Sequence, residues 1–525
     1  MKILIAEPLA PAAVELFQKV EGWDVVVSNP KEYTAHLADC DALVVRSAVK
    51  VNKDTFAQAP NLRVVGRAGV GVDNVDMEAA TAAGVLVMNT PGGNAVSVAE
   101  HTIAMMLSMA RMIPQASAST KSGKWEKKAF LGNELRGKTL GVVGLGNIGR
   151  EVVRRARAFE MLIIGTDPYV NSQMAADLGV ELVDLDTLYG RADYISLHVG
   201  VTNETRGMIN AASIAKMKKG VRLVNCARGE LIHQPSLAEA LQSGDVGGAG
   251  LDVFDPEPPP AGEVLLEAKT LIATPHIGGS TEEAQEIVGI RIAHQMVEYL
   301  CNGVAINAVN MPALSPEQFR AMEPWLSVAE RLGTFASYMA DGNPKAVRIA
   351  YHGAVADLNT QLIRNAGLAG VLARSMPQRP NIVNAMPIAQ RRGLDVSERH
   401  EKRAGYVDSI QIELETDKGV TQVEGSLILD RPRLVRVNGI PIEAALAGHL
   451  TYMMNDDVPG VIGHVGTVLG RNSVNIANFA LGRKDAATRA VSIVETDEAL
   501  SERVIAELLQ HPAILTARTV ELGGV

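Results

Sequence analysis

The stretch Leu140-Gly141-Val142-Val143-Gly144-Leu145-Gly146-Asn147-Ile148-Gly149 constrains the fold of this chain more than any other. An apolar, β-branched run leads into three glycines at G-x-G-x-x-G spacing, and a helical pattern through Glu151, Val152, Ala156 and Phe159 follows. A second apolar run, Leu162–Thr166, then delivers Asp167, 18 residues beyond Gly149. Each piece has a separate job: Gly144 permits a tight turn, Gly146 lets phosphates approach the backbone, and Gly149 lets the helix pack close to the strand. The helix N-terminus offers unpaired N–H groups and the positive end of its dipole to a pyrophosphate. Asp167 offers acceptors to ribose hydroxyls and repels a 2′-phosphate, so the spacing predicts a site for NAD rather than NADP. The expected contacts are Gly144, Gly146, Asn147, Ile148, Gly149, Asp167 and Pro168.

The surrounding pattern extends this unit in both directions. Short apolar runs at Lys2–Ala6, Trp23–Val27, Ala42–Val45, Val64–Arg67 and Val85–Met88 alternate with helical segments, which implies a parallel sheet covered on both faces. One long helix is expected over Val98–Ala118. A second strand series follows at Thr139–Val143, Leu162–Thr166, Tyr194–Leu197, Arg222–Asn225, Gly248–Asp252 and Thr270–Ala273. The expected architecture is α/β: two doubly wound parallel-sheet domains with a cleft between them. We expect 1–97 with 283–304 as a substrate-binding domain, the helix Glu282–Asn302 carrying the chain back to it, and 98–282 as the NAD-binding domain. Residues 305–447 read as an inserted α+β domain and 448–525 as a ferredoxin-like βαββαβ domain.

Three polar clusters fall at or just beyond the ends of later strands in the second series, where open α/β sheets place their ligands. They contain Asn225-Cys226-Ala227-Arg228, Asp252-Val253-Phe254-Asp255-Pro256-Glu257 and Thr274-Pro275-His276-Ile277-Gly278. Oxidising a secondary alcohol beside a nicotinamide requires a base for the hydroxyl proton, and His276 has a suitable ordinary pKa. Glu257 on the other ring nitrogen would fix the tautomer and steady the imidazolium. Arg228 brings the planar fork that grips a carboxylate and polarises a developing carbonyl. Ala227, Asp252 and Gly278 join the expected cofactor contacts.

These segments, with Val45-Arg46-Ser47-Ala48, Gly66–Asp76 and Gly123-Lys124-Trp125-Glu126, resemble the D-isomer-specific 2-hydroxyacid dehydrogenase family over roughly the first 305 residues. The resemblance implies that Arg228, Glu257 and His276 are catalytic and that 3-phospho-D-glycerate is oxidised to 3-phosphohydroxypyruvate, the first step of serine synthesis. It implies that the Ala68–Gly71 loop, with Gly69, Val70 and Gly71, presents N–H groups to the substrate carboxylate, as glycine-rich anion nests do. Arg46, Ser47, Arg67 and Asn94 are the expected substrate contacts, with the phosphate assigned to Arg46 and Asn94 first. Two residues depart from the family pattern, Gly200 in place of a common proline and His233 in place of a frequent acid; both flank the cofactor cleft. A glyoxylate or hydroxypyruvate reductase, another D-2-hydroxyacid dehydrogenase and a non-enzymatic NAD-sensing corepressor are the alternative readings.

Residues 450–525 resemble an ACT domain, which binds small amino acids between paired copies. That resemblance implies a serine site at Asn455, Asp457 and Asn475, or a role in assembly alone. The dehydrogenase resemblance implies a homodimer or homotetramer paired through the long helix, with Lys127 reaching a neighbour's site. The formal charge of -9 and the lack of a basic block argue against nucleic acid as a partner. Cys40, Cys226 and Cys301 form no C-x-x-C pair and no metal-ligand spacing is present, so no metal is expected. With no signal-peptide pattern and no apolar run of membrane-spanning length, the chain is expected in the cytoplasm.

Overall fold

The computed structural model describes residues 1–312, 314–376, 380–401, 407–483 and 489–523. In the first sheet the strands lie in the order Asp24–Val27, Lys2–Ile5, Ala42–Val45, Val64–Arg67, Leu86–Met88, all parallel. In the second the order is Leu271–Ala273, Val246–Leu251, Val221–Asn225, Tyr194–Leu197, Thr139–Val143, Leu162–Thr166, Glu181–Leu182, again parallel. Parallel strands point every C-terminal end at one edge, so residues far apart in sequence meet there. The edge strand Glu181–Leu182 escaped the sequence reading because two residues give no periodic signal.

The strands are short, nearly continuous buried runs rich in valine, isoleucine and leucine, as expected of sheets covered on both faces. The helix Glu282–Asn302 lays Val288, Ile292 and Met296 on the first sheet. Gly66 makes room for it, since a Cβ there would sit 2.1 Å from the sulfur of Met296. On the second sheet, Met105 and Met109 of Ala95–Arg111 cover the bare backbone at Gly250 and Gly248.

The single helix expected over Val98–Ala118 is two helices, Ala95–Arg111 and Ile113–Lys121. Met112 between them is left-handed at φ 48°, and Pro114 in the second helix has no N–H to return to Ala110. The Ala110 carbonyl accepts instead from the Asn133 N–H at 2.9 Å, closing the break with a tertiary hydrogen bond.

Beyond residue 302 the chain adds a short antiparallel bridge to the first sheet at Met88 and Ala308, then enters a six-stranded mixed sheet. Helices Pro316–Met339 and Thr360–Ala373 pack on it, brought close where Gly333 faces the Gly367 carbonyl. The last sheet has the order Ile476–Arg483, Arg489–Thr496, Gly448–Asp456, Ile514–Leu522, all antiparallel, which is the ferredoxin-like βαββαβ arrangement. One face carries helices Val461–Arg471 and Glu502–Leu508. The other packs on Pro316–Met339, with Tyr452 edge-on to Phe335 at 6.2 Å and Arg518 paired with Asp341 at 2.7 Å. Among the described residues, no helix is long and apolar enough to cross a membrane.

Candidate active site

The glycine turn has the geometry that its residue types require. Gly144 has φ +94°, and a Cβ on it would lie 2.7 Å from the His198 carbonyl oxygen. A Cβ on Gly149 would lie 2.0 Å from the Gly144 carbonyl oxygen, so only glycine lets the helix Asn147–Ala158 start so close to its strand. At Gly146 such an atom would meet nothing within 4 Å, which leaves the backbone open to a ligand. Asp167 sits beside the turn, accepting from the Leu145 N–H and the Tyr169 N–H, each at 2.8 Å. An open glycine, a free helix N-terminus and an acid at the next strand end suit a dinucleotide. Those residues would hold NAD.

A cleft of about 580 Å³ runs between the two parallel sheets. Arg67, Val70, Gly71 and Asn94 line it from the first sheet's side, and Ile148, Ala227, Arg228, Asp252, His276 and Gly278 from the second's. Nδ1 of His276 lies 2.8 Å from Oε2 of Glu257, whose other oxygen accepts from the Phe254 N–H at 3.0 Å. The Glu257 hydrogen bond holds the imidazole pKa above its ordinary value, against the opposing effect of burial. Burial disfavours the Glu257 carboxylate, but the bonds from His276 and Phe254 prevail and hold its pKa below the usual range. With Nδ1 so engaged, Nε2 of His276 is the nitrogen left for a substrate.

Asp252 builds the loop that carries this histidine. Its carboxylate is buried and accepts from the Thr274 hydroxyl at 2.6 Å, the Ile277 N–H at 2.9 Å and the Gly278 N–H at 2.7 Å, while its carbonyl accepts from the His276 N–H at 2.8 Å. Burial opposes its charge, yet His101, Thr274 and the two amides keep its pKa below the ordinary carboxylate range. Asp252, expected as a cofactor contact, thus anchors the loop that carries His276, a residue itself at φ 53°. The role of His101, 3.4 Å from Asp252 and 3.0 Å from the Thr274 hydroxyl, left no trace in the sequence because only the fold brings them together.

Arg228 donates to its own residue's neighbour, the Ala227 carbonyl, at 2.7 Å and pairs with Asp73 at 2.8 Å. Arg67 lies against Gly69, where a Cβ would fall 1.4 Å from Nη1. Its Nε is buried and has no partner among the described residues, and burial together with the nearby Arg228 lowers its pKa. The Asn94 side-chain oxygen is likewise buried and unpartnered. Arg46 and Ser47 do not line the cleft; the Arg46 N–H is bound to Glu7 at 2.8 Å and its guanidinium lies 3.4 Å from the Pro8 carbonyl. Sequence reasoning placed Arg46 ahead of Arg67, whereas the geometry leaves Arg67 as the buried cation at the cleft. Of the two departures, Gly200 lines the cleft and a Cβ there would meet nothing within 4 Å, while His233 bonds the Ser236 hydroxyl at 2.7 Å and stands outside it.

In the C-terminal sheet the three expected effector residues do not meet. Asn455 is buried, bonded to Ser492 and the Asp456 carbonyl; Asp457 pairs with Arg483 at 3.5 Å; Asn475 donates to Asp497 at 2.8 Å. Asp457 follows the Asp456–Arg489 end of the sheet and Asn475 precedes the Ile476–Thr496 end. At about 3.3 Å per residue these ends are roughly 25 Å apart.

Residues 103–278 match the NAD binding domain of the D-isomer specific 2-hydroxyacid dehydrogenases, 321–438 the D-3-phosphoglycerate dehydrogenase intervening domain, and 451–513 the ACT domain. The chain is 42% identical over 524 residues to the D-3-phosphoglycerate dehydrogenase of Methanocaldococcus jannaschii, covering 99% of this chain and 100% of that one. It is 38% identical to the Bacillus subtilis D-3-phosphoglycerate dehydrogenase, over 99% of each. Among solved structures it is similar to D-lactate dehydrogenase from Escherichia coli, at TM-score 0.53 and 28% identity over 59% of this chain and 100% of that one. It is also similar to NAD-dependent formate dehydrogenase from Staphylococcus aureus in complex with NAD, at TM-score 0.51 and 28% identity over 58% and 96%. A dinucleotide turn, an imidazole–carboxylate pair facing a cationic cleft, and relatives matching along the whole length lead to one assignment: the chain belongs to the D-3-phosphoglycerate dehydrogenase family, the D-2-hydroxyacid dehydrogenases that carry an intervening and an ACT domain.

Proposed function

We propose that the chain oxidises 3-phospho-D-glycerate to 3-phosphohydroxypyruvate with NAD, the first step of serine synthesis. The observation that carries this reading is the 2.8 Å contact between His276 and Glu257 at the edge of a cleft that also holds Arg228 and Arg67. When bound, NAD supplies the hydride acceptor. Nε2 of His276 takes the hydroxyl proton of the substrate, and Glu257 stabilises the imidazolium that results. Arg228 binds the substrate carboxylate and polarises the forming carbonyl, with the amides of the 69–71 loop as further donors. Arg67 and Asn94, which both line the cleft, serve the phosphate. In the reverse direction the protonated histidine returns its proton to the oxygen.

The ACT domain responds to a small-molecule effector. Serine is the effector this reading names, held by Asp457 and Asn475 of paired copies with Asn455 shaping the sheet beneath. The working unit is a homodimer or homotetramer in the cytoplasm, with Lys127 directed at a neighbour's site. The domain boundaries read from the sequence, 98–282 for NAD and 1–97 with 283–304 for substrate, are part of the same proposal. Measuring kcat/KM for 3-phosphoglycerate and for glycerate, with and without serine, tests it. Strong preference for the phosphorylated acid is expected; equal use of both would replace this reading with that of a general 2-hydroxyacid dehydrogenase.

A further inference from the structure

The contact between Arg228 and Asp73 crosses the cleft. Arg228 follows the strand Val221–Asn225 of the second sheet, and Asp73 lies in the turn after Val64–Arg67 of the first. Their charged atoms stand 2.8 Å apart directly over Gly71: a Cβ on that glycine would lie 2.1 Å from Nη2 of Arg228 and 2.7 Å from Oδ2 of Asp73. Both ends of the pair are anchored. On the acid's side, Asn74 donates to the Arg46 carbonyl at 2.9 Å and to the Val49 carbonyl at 2.7 Å, and the Val75 N–H closes the turn onto Val72. On the arginine's side, Asn225 is buried and donates to the Arg228 carbonyl at 2.8 Å, while Nη1 is held by the Ala227 carbonyl.

We propose that Asp73 is a positioning residue that clasps the two sheets together through Arg228 and sets the guanidinium for the substrate carboxylate. Two of the guanidinium's donor directions are fixed, one by the Ala227 carbonyl and one by Asp73, so the rotamer is chosen before substrate arrives. The negative charge also offsets repulsion between Arg228 and Arg67, two cations that share the cleft. An exposed surface ion pair would be worth little. This one acts on orientation: Asp73 is mostly exposed, but its partner is only 29% exposed and pressed against the loop that receives the substrate.

The inference rests on the reading of Arg228 as the carboxylate ligand, and its test separates the two. Asp73→Asn keeps the shape and removes the charge; it is expected to raise KM for 3-phosphoglycerate about tenfold, the cost of one charged hydrogen bond, with a smaller change in kcat. Asp73→Glu should recover part of that loss. Combined with Arg228→Lys, the Asn variant should cost less than the product of the single losses, because both act through one contact. Amide hydrogen exchange on the NADH-bound protein gives a readout free of turnover: residues 226–231 should exchange faster in Asp73→Asn. Absence of turnover in the unaltered chain would remove the functional reading alone and leave the exchange result to judge the clasp. Unchanged KM with unchanged exchange, or losses that multiply, would overturn it.

Discussion

The interdomain cleft and the ACT sheet each carry candidate ligand residues that are separated in sequence, and the fold treats them in opposite ways. Arg228 and His276 lie almost fifty residues apart and still line one crevice, with Glu257 bonded behind His276, because each follows a strand of a parallel sheet and all such ends share an edge. Asp457 and Asn475 are close in sequence, yet they stand at opposite ends of an antiparallel sheet, with the helix Val461–Arg471 running between them. A site at the edge of a parallel sheet is complete in one chain. A site split across an antiparallel sheet would need a second copy to complete it, turned so that one copy's strand end meets the other's strand start.

The first way to break this comparison is to remove the base from the cleft. His276→Gln should lower kcat by about 10²–10⁴-fold while NADH binding, followed by fluorescence titration, stays near normal. Mixing this variant with Arg228→Gln copies should restore nothing, since both residues belong to one chain's cleft. Recovery on mixing would place the catalytic pair across subunits. Next in size is Asp167→Ala, which removes the ribose acceptor and also the acceptor for the Leu145 and Tyr169 amides. NAD affinity should fall about ten- to a hundredfold, the value of one or two charged hydrogen bonds, and NADP should lose less. If both cofactors weakened equally, the acid would be a turn anchor and nothing more.

The pH profile sharpens the picture of the cleft. Glu257 raises the His276 pKa, so the neutral base needed for oxidation fills only as pH climbs through that raised value, and the protonated acid needed for reduction is lost over the same interval. Glu257→Gln should move the acid limb of kcat/KM for oxidation to lower pH, because the imidazole then gives up its proton more readily. The maximal rate should fall about tenfold or more as the imidazolium loses its partner. A limb that did not move would mean that some other group titrates there.

The same contrast explains what could be read before the fold was known. Gly144, Gly149 and Asp167 were legible because strand, turn and helix follow one another in sequence, and local spacing determines their geometry. Arg228, Glu257 and His276 were legible because successive strand ends of a parallel sheet converge whatever lies between them. Asp73 as the partner of Arg228 and His101 behind Asp252 were not, because each contact joins elements that no local pattern relates. The break at Met112 was masked by an apolar periodicity that runs through both helices, although Pro114 was the available signal. The family resemblance puts Arg46 ahead of Arg67 for the phosphate, and depth in a cleft has no sequence signature that could reverse the order.

The smallest effect is the most direct test of the comparison. If serine binds between paired ACT domains, Asp457→Ala and Asn475→Ala should each abolish inhibition in a pure preparation. Each pair of domains has two sites, each made from Asp457 of one copy and Asn475 of the other. A hybrid of the two variants then contains one doubly damaged site and one intact site, so mixing and reassembly should bring back up to half of the serine response. A site contained within one copy allows no such recovery, because every copy in the mixture lacks one of its two ligands. The roughly 25 Å between these positions within one chain favours the first outcome, and failure to recover any inhibition in verified hybrids would remove Asp457 and Asn475 as joint ligands.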